Sequence, residues 1–392
     1  MRCSYAGAVR TAIVGGILLI VGAIAVAAKL LPLAELGVLV DRVWPILLFV
    51  VAITVVTELA SEAGLFGWIA ERAARWGRGR GWLLWVFVVL LATASTIFLS
   101  LDTTAVLLTP VVVLLARHVG IDPLPFAFTT VWLANTASLL LPVSNLTNLL
   151  AEHELDGVGP SGFAALTALP AAAGVVVPSV ILFLVFRRRL MVRFEADDAA
   201  PVDDRVLLVA SGSVIAVLVP ALVSGIDVWI PACAAAVVLG AFFVTRRRSV
   251  LRFSLVPWQL VVFASGLFLV MEAAHAAGLT AVLSTAAGEG NDPLDLLRLA
   301  GVGATAANAV NNLPAYLALE PLAGSPERLI ALLIGVNLGP LVTPWASLAT
   351  LLWHQRLVGL GVEISWSRYA VLGLVAAPVT VALATLALAV AF

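Results

Sequence analysis

Two stretches decide how this chain folds: NTASLLLPVSNLTNLL (Asn135 to Leu150) and NLGPLVTPWASLATLL (Asn337 to Leu352). In each, an asparagine precedes a proline by seven positions, Asn135–Pro142 and Asn337–Pro344, and each closes on Leu-Leu. Proline removes a backbone donor and clashes with the preceding helical turn. Pro142 in one stretch, and Gly339, Pro340 and Pro344 in the other, therefore predict breaks inside two long apolar segments, 124–150 and 328–353. Polar residues gather at these breaks: Ser144, Asn145, Thr147 and Asn148 in the first, Thr343, Ser347 and Thr350 in the second. In hydrocarbon, irregular backbone is tolerated only where it is buried in protein or lines a cavity.

Working outward, two more pairs of segments match in the same order. TELASEAGL (Thr57 to Leu65) pairs with MEAAHAAGL (Met271 to Leu279), so that Glu58 and Glu272 each precede a glycine, Gly64 and Gly278, by six residues. FLSLDTTAVLL (Phe98 to Leu108) pairs more loosely with NAVNNLPAYLA (Asn308 to Ala318), which sets Asp102 opposite Asn312. Three pairs in one order indicate an internal repeat. The repeats are expected at 1–190 and 228–392, joined by 191–227, a cytoplasmic linker with one extra span.

The composition requires a membrane. The chain is 62% hydrophobic and 11% charged over 392 residues, against about 45–50% and about 25% in soluble domains. Spans long enough to cross are expected at 11–30, 41–60, 124–150, 161–186, 206–224, 228–245, 257–279, 328–353 and 369–391, since about 20 apolar residues suffice. The first span could mimic a signal peptide but is read as uncleaved. Two further stretches, 82–117 and 297–320, carry polar midpoints and read as re-entrant hairpins. Arginine clusters at Arg72 to Arg80, Arg187 to Arg193 and Arg246 to Arg252 mark cytoplasmic loops. Acidic loops at Glu152 to Asp156, around Asp227 and at Glu289 to Asp295 mark the other face. That count makes hairpin 82–117 enter from the cytoplasm and 297–320 from outside, an inverted arrangement of the kind secondary transporters use. The expected fold is an all-α polytopic membrane protein: an inverted-repeat transporter with two opposed re-entrant hairpins and two broken transmembrane helices.

Four polar elements would then converge near the midplane. Candidate solute-binding residues are Asp102, Thr103 and Thr104 in the first hairpin and Asn308, Asn311 and Asn312 in the second. Ser144, Asn145 and Asn148 come from one break, Thr343 and Ser347 from the other. An ionisable group within a span is by default functional, which singles out Asp102. For any one Ser or Thr the plainer reading is a bond back to its own helix or helix–helix packing. Glu58 and Glu272 are further candidates for proton coupling, although near span ends they also suit capping or snorkelling. His275 is a weaker relay candidate, and Trp44, Trp229 and Trp258 suit interfacial anchoring.

Several function classes drop out. A net charge of −1 gives no basic footprint for nucleic acid. Cys3 and Cys233 are far apart, with no zinc or disulfide pattern, and no metal or other cofactor is expected. The four histidines (118, 153, 275, 354) are scattered, which disfavours an enzyme; a channel-forming subunit is the other minor alternative. No Lys or Arg lies in the four motifs, so nothing there clamps a phosphate or a di- or tricarboxylate. Hydroxyls, amides and one acid suit a neutral hydroxylated solute or a small cation, while an anion held on half-helix N-termini stays open.

These motifs resemble the bacterial arsenite permease (arsenical pump membrane protein) family within the ion transporter superfamily. The resemblance runs from about residue 53 to the C-terminus. It is most specific at AGLFGWIAERAARWGRGRG (Ala63 to Gly81), LDTTAVLLTPVVV (Leu101 to Val113), VPWQLVVFASGLFLV (Val256 to Val270), NNLPA (Asn311 to Ala315) and LGPLVTPWASLATLLWHQ (Leu338 to Gln355). It implies export of arsenite and antimonite across the bacterial cytoplasmic (inner) membrane, driven by protons, and in some members with a soluble arsenite-stimulated ATPase subunit as partner. Carried over, the family's motifs fall on Asp102, on Asn311 and Asn312, on Ser144, Asn145 and Asn148, and on Gly339, Pro340, Thr343 and Ser347. The first hairpin departs from the family pattern of Asn-Asp followed by Gly-Ala, reading Leu101-Asp102-Thr103-Thr104 here. Compared with longer members, one N-terminal span is expected to be lacking. Arsenous acid, an uncharged trihydroxide near neutral pH, matches a site without a cation or cysteine. A permease for a carboxylate or another metalloid is the alternative.

Overall fold

The computed structural model describes residues 2–155, 157–194 and 203–391. Asp156, which ends the first acidic loop, and residues 195–202 of the linker lie outside the described residues. The described chain is helical, with one isolated antiparallel bridge between Arg80 and Arg193. Among the described residues, eight helical segments are long and apolar enough to cross a membrane. Val217, Val237 and Val390 are exposed on the outside, whereas Thr130, Asn135, Ser144, Asn148 and Asn337 are buried. Apolar side chains face out and polar ones face in, as a lipid solvent demands.

The chain runs through α1 (Arg2–Ala27), α2 (Leu33–Glu62), a short α3 (Leu65–Trp76), and the pair α4 (Gly81–Leu99) and α5 (Leu101–Thr103). A π-helical turn, Thr104–Leu108, joins α5 to α6 (Thr109–His118). Then come α7 (Leu124–Thr136), α8 (Leu146–Glu154), the 32-residue α9 (Gly159–Leu190) and α10 (Arg205–Leu222). From α11 (Trp229–Arg246) the order recurs: long α12 (Trp258–Ala276), short α13 (Leu279–Ala287), the pair α14 (Pro293–Val310) and α15 (Asn312–Leu319), the pair α16 (Pro326–Leu338) and α17 (Leu348–Gly359), and long α18 (Trp366–Ala391). The halves are interlocked: α1 packs on α12, α11 on α2, and α9 on α18.

Local conformation repeats with the order. Gly64 and Gly278 start α3 and α13 with φ of 79° and 95°. The apolar segments 124–150 and 328–353 are interrupted where proline predicts. Pro142–Ser144 and Pro344–Ala346 are single 3-10 turns, followed by extended residues at Asn145 (φ −152°, ψ 143°) and Ser347 (φ −142°, ψ 139°). The long helices fit against these breaks through glycine. A Cβ on Gly174 of α9 would meet Thr136 O at 2.5 Å, and one on Gly373 of α18 would collide with Leu341 O.

Segment 82–117 reverses direction at Ser100, since Thr104 Oγ1 returns to Thr96 Oγ1 (2.8 Å) and Ala92 O. Each arm is by length and composition also long enough to cross a membrane. Its two ends lie together, because Gly81 N donates to Val192 O (2.9 Å) and Asp122 pairs with Arg189, both at the C-terminal end of α9. The second hairpin reverses at Asn311, and its ends are gathered by buried Arg328. That guanidinium donates to Ala323 O, Gly290 O, Ala287 O, Gly288 O and Leu322 O. Glu320, where this hairpin ends, binds Arg42, which also binds Glu154 just before α9 begins. The hairpins therefore open toward opposite ends of α9, about 48 Å apart at 1.5 Å per residue.

One alignment shifts. The tip residues share a rare backbone state for non-glycine residues: Ser100 (φ 127°, ψ 161°) and Asn311 (φ 142°, ψ 157°). Each side chain accepts from a backbone N–H just beyond it, Thr103 N and Leu313 N. Ser100 thus corresponds to Asn311 and Asp102 to Leu313, not to Asn312. Register here is set by one strained tip residue, which the weak local sequence match does not mark.

Candidate functional site

Both tips and both breaks meet in a single cavity of about 80 Å³. The first hairpin contributes Ser100, Leu101 and Asp102, and the second Asn311, Asn312 and Leu313. The breaks contribute Val143 to Leu146 and Ser347 to Ala349, and α2 and α12 close it with Phe49, Thr54, Leu260 and Phe263. Several waters, or a solute of a few heavy atoms, fit such a space. The lining holds one carboxyl, that of Asp102, and no Lys, Arg or His. Among the described residues, Asp102 forms no ion pair.

An amide network braces the breaks across the two halves. Asn337 in α16 is its hub: Oδ1 accepts from Asn145 Nδ2 (3.0 Å) and Thr147 Oγ1 (2.8 Å), while Nδ2 donates to Asn148 Oδ1 (2.7 Å). Asn148 Nδ2 donates to Ser138 O and Leu141 O, carbonyls freed by the break. Asn145 Oδ1 caps α8 by accepting from Thr147 N. The corresponding contact in the other half is looser, Asn135 Nδ2 to Thr350 Oγ1 at 3.5 Å. Ser347 starts α17 with no side-chain cap, and its buried hydroxyl has no protein partner among the described residues.

The expected residues divide accordingly. Asp102, Ser144, Asn145, Asn311, Asn312 and Ser347 line the cavity. Ser144 also ties its break to the first hairpin through Ile97 O (3.0 Å), and Asn311 Nδ2 ties its tip to Trp345 O (2.8 Å). Thr103, Thr104, Asn148, Asn308 and Thr343 stand behind the lining with their polar atoms committed. Thr103 Oγ1 bonds at the tip with Ser100 Oγ and Leu99 O, and Thr104 closes the first hairpin. Asn308 clamps the second break: it donates to Gly339 O and accepts from Val342 N and Thr343 N, while its carbonyl accepts from Thr343 Oγ1 and Trp345 Nε1. Glu58 lies on α2 away from the cavity. Glu272 opens into a second cavity with Arg42, Glu154, His275 and Glu320. His275 itself joins α12 to α15 through Leu317 O (2.8 Å). The hub, Asn337, is absent from the expected set, although its pairing with Asn135 in the repeat marks it. Ser100, one of the polar residues expected at the first hairpin tip but not among the candidate ligands, also lines the cavity.

Comparison with known proteins sharpens the assignment. The family model described as citrate transporter matches residues 9–349. An arsenical pump membrane protein of Escherichia coli is 32% identical over 398 residues, covering 92% of this chain and 90% of that protein. One from Yersinia enterocolitica is 30% identical, covering 89% and 87%. The solved YdaH transporter of Alcanivorax borkumensis shares the fold with a TM-score of 0.59, 15% identity and 98% coverage of both chains. With these relatives along nearly its whole length, the chain belongs to the arsenical pump membrane protein family of multi-pass membrane transporters.

Proposed function

We propose that this chain is a secondary transporter that exports arsenite and antimonite across the bacterial cytoplasmic membrane in exchange for protons. The observation that carries this reading is the joining of both hairpin tips and both breaks in one small cavity with one acid and no cation. Arsenous acid presents three hydroxyls and no charge. Asp102, Ser347 and the amides at Asn311 and Asn312 offer it acceptors and donors, and the first turns of α8 and α17 add backbone N–H groups. Asp102 exchanges a proton for a solute hydroxyl as the site faces alternate sides. The halves, 1–190 and 228–392, lie inverted in the bilayer, with each hairpin re-entrant from its own face. The hairpin ends at opposite ends of α9 support that arrangement.

The relatives' name bears on the solute, whereas the citrate description of the family model favours a carboxylate. The cavity has no guanidinium or ammonium to hold a tricarboxylate. Expression in a strain without arsenite efflux should confer arsenite resistance. Everted vesicles should accumulate arsenite when a proton gradient is imposed, with antimonite competing and citrate not. Absence of resistance despite membrane insertion, or competition by citrate alone, would overturn the proposal. Adding a soluble arsenite-stimulated ATPase with ATP is a further arm: a rise above gradient-driven accumulation assigns that partner.

A further inference from the structure

Away from the central cavity, three arginines, Arg78, Arg80 and Arg193, line a cleft of about 510 Å³ together with Gly79 and Phe194. The backbone forces them together. Phe194 N donates to Gly79 O and Gly81 N to Val192 O, both 2.9 Å, on either side of the Arg80–Arg193 bridge. That pattern makes the two arginines a non-hydrogen-bonded antiparallel pair, the arrangement in which opposing side chains emerge closest, with Cα atoms about 4.5 Å apart. Like charges set directly opposite are unfavourable. The geometry tolerates no relaxation at Gly79, where a Cβ would meet Phe194 O at 2.6 Å. Arg78 is itself held at φ 47°, beside the cleft. Among the described residues no carboxylate pairs with any of the three.

The surroundings place this cleft at the edge of the apolar belt. Met191 and Val192 beside it are exposed, as is Trp76 at the end of α3, whose ring packs on Phe87 of α4. Exposed tryptophan beside arginine marks the headgroup level of a bilayer, where basic pockets between helices take lipid headgroups. Guanidinium forks match the oxygens of a phosphate better than any other common partner there.

We infer that the Arg78–Arg80–Arg193 cleft binds a phosphate-type oxyanion, supplied by an anionic phospholipid headgroup or by free phosphate. An anion seated there neutralises the forced arginine pair and fastens the start of α4 to the end of α9, where the first hairpin is anchored.

The test uses the full-length chain, purified in neutral detergent and stripped of lipid. Phosphatidylglycerol and phosphatidylcholine are titrated separately and counted by native mass spectrometry, and inorganic phosphate is titrated by calorimetry. Phosphatidylglycerol or phosphate should bind, with phosphatidylcholine weaker by about ten-fold or more. Binding by phosphatidylglycerol alone assigns the lipid; phosphate binding that displaces it assigns the free anion. Arg78→Gln/Arg80→Gln/Arg193→Gln should lose at least about ten-fold, the matching lysine variant should fall between, and Arg248→Gln should match the native chain. The lysine variant keeps the charge and guards against loss of fold. Equal binding of both lipids without phosphate binding, or a glutamine variant that binds like the native chain, overturns the inference. The acids that follow Phe194 supply the last arm. If binding appears only in Glu195→Gln/Asp197→Asn/Asp198→Asn, the chain's own carboxylates occupy the cleft and the inference falls.

Discussion

Asn145 and Ser347 occupy the same step of the two breaks, with nearly identical backbone, yet their side chains do opposite things. Asn145 is fully committed: it caps α8 and reaches across to Asn337. Ser347 caps nothing, and its buried hydroxyl faces the cavity without a protein partner among the described residues. The hairpin tips repeat the contrast, since Asp102 of the first answers to Leu313 of the second. A repeated backbone can build one site from two halves and still divide the work. One break braces the cavity, and the other leaves a hydroxyl without a protein partner beside it among the described residues.

The sharpest way to break this comparison is to remove the acid. Asp102→Asn should abolish proton-dependent arsenite accumulation in vesicles while the protein still inserts and keeps its helical content. Retained pH-dependent exchange would move coupling elsewhere, to Glu58 or Glu272. Next comes the brace. Asn337→Ala should cost about 3 kcal/mol in thermal or denaturant unfolding, because it strands buried amide and hydroxyl partners. Asn135→Ala, which removes the looser contact of the other half, should cost about 1 kcal/mol. Equal losses would show that the halves share the load. For the paired step, Asn145→Ala should lower stability, whereas Ser347→Ala should leave it within about 0.5 kcal/mol and weaken arsenite affinity roughly five-fold.

The smallest effect lies outside the comparison and calibrates it. Asp204 caps α10 and accepts from Arg246, and that bond, with the backbone N–H groups of Val206 and Leu207, holds its carboxyl below the usual range. Its contribution is present above the unfolded carboxylate value near 4 and disappears as pH falls through the lower folded value. Melting curves of Asp204→Asn and the native chain should therefore differ slightly at neutral pH and converge in acid.

Much of this architecture is written in the punctuation of the sequence. Pro142, Pro344 and Gly339 mark the breaks because each sits among clustered Asn, Ser and Thr residues; proline alone does not break a helix here, since Pro170 and Pro178 lie inside the continuous α9. Asp102 and the Asn311-Asn312 pair stand out because hydrocarbon makes polar groups costly. Which polar residues face the cavity is not written there. Asn308 and Thr343 look like ligands by type, but folding uses them to clamp a break. Asn148 is spent on two freed carbonyls. Such roles depend on which backbone groups each break leaves open, a three-dimensional sum that residue type does not reveal. The hairpin register is hidden for a related reason, since Ser100 and Asn311 match in dihedral angle and not in chemistry.

The carbonyl cage around Arg328 has a consequence for biogenesis. Its acceptors lie on both sides of the second hairpin, at residues 287–290 and 322–323, while the donor sits at the start of α16. During synthesis the hairpin is complete before its clamp has left the ribosome. These five bonds must therefore wait for α16. Once closed, the clamp rests on five neutral carbonyls, and among the described residues no carboxylate pairs with Arg328. The clamp thus ties the loop before the second hairpin to the helix after it through a charge that only neutral carbonyls meet.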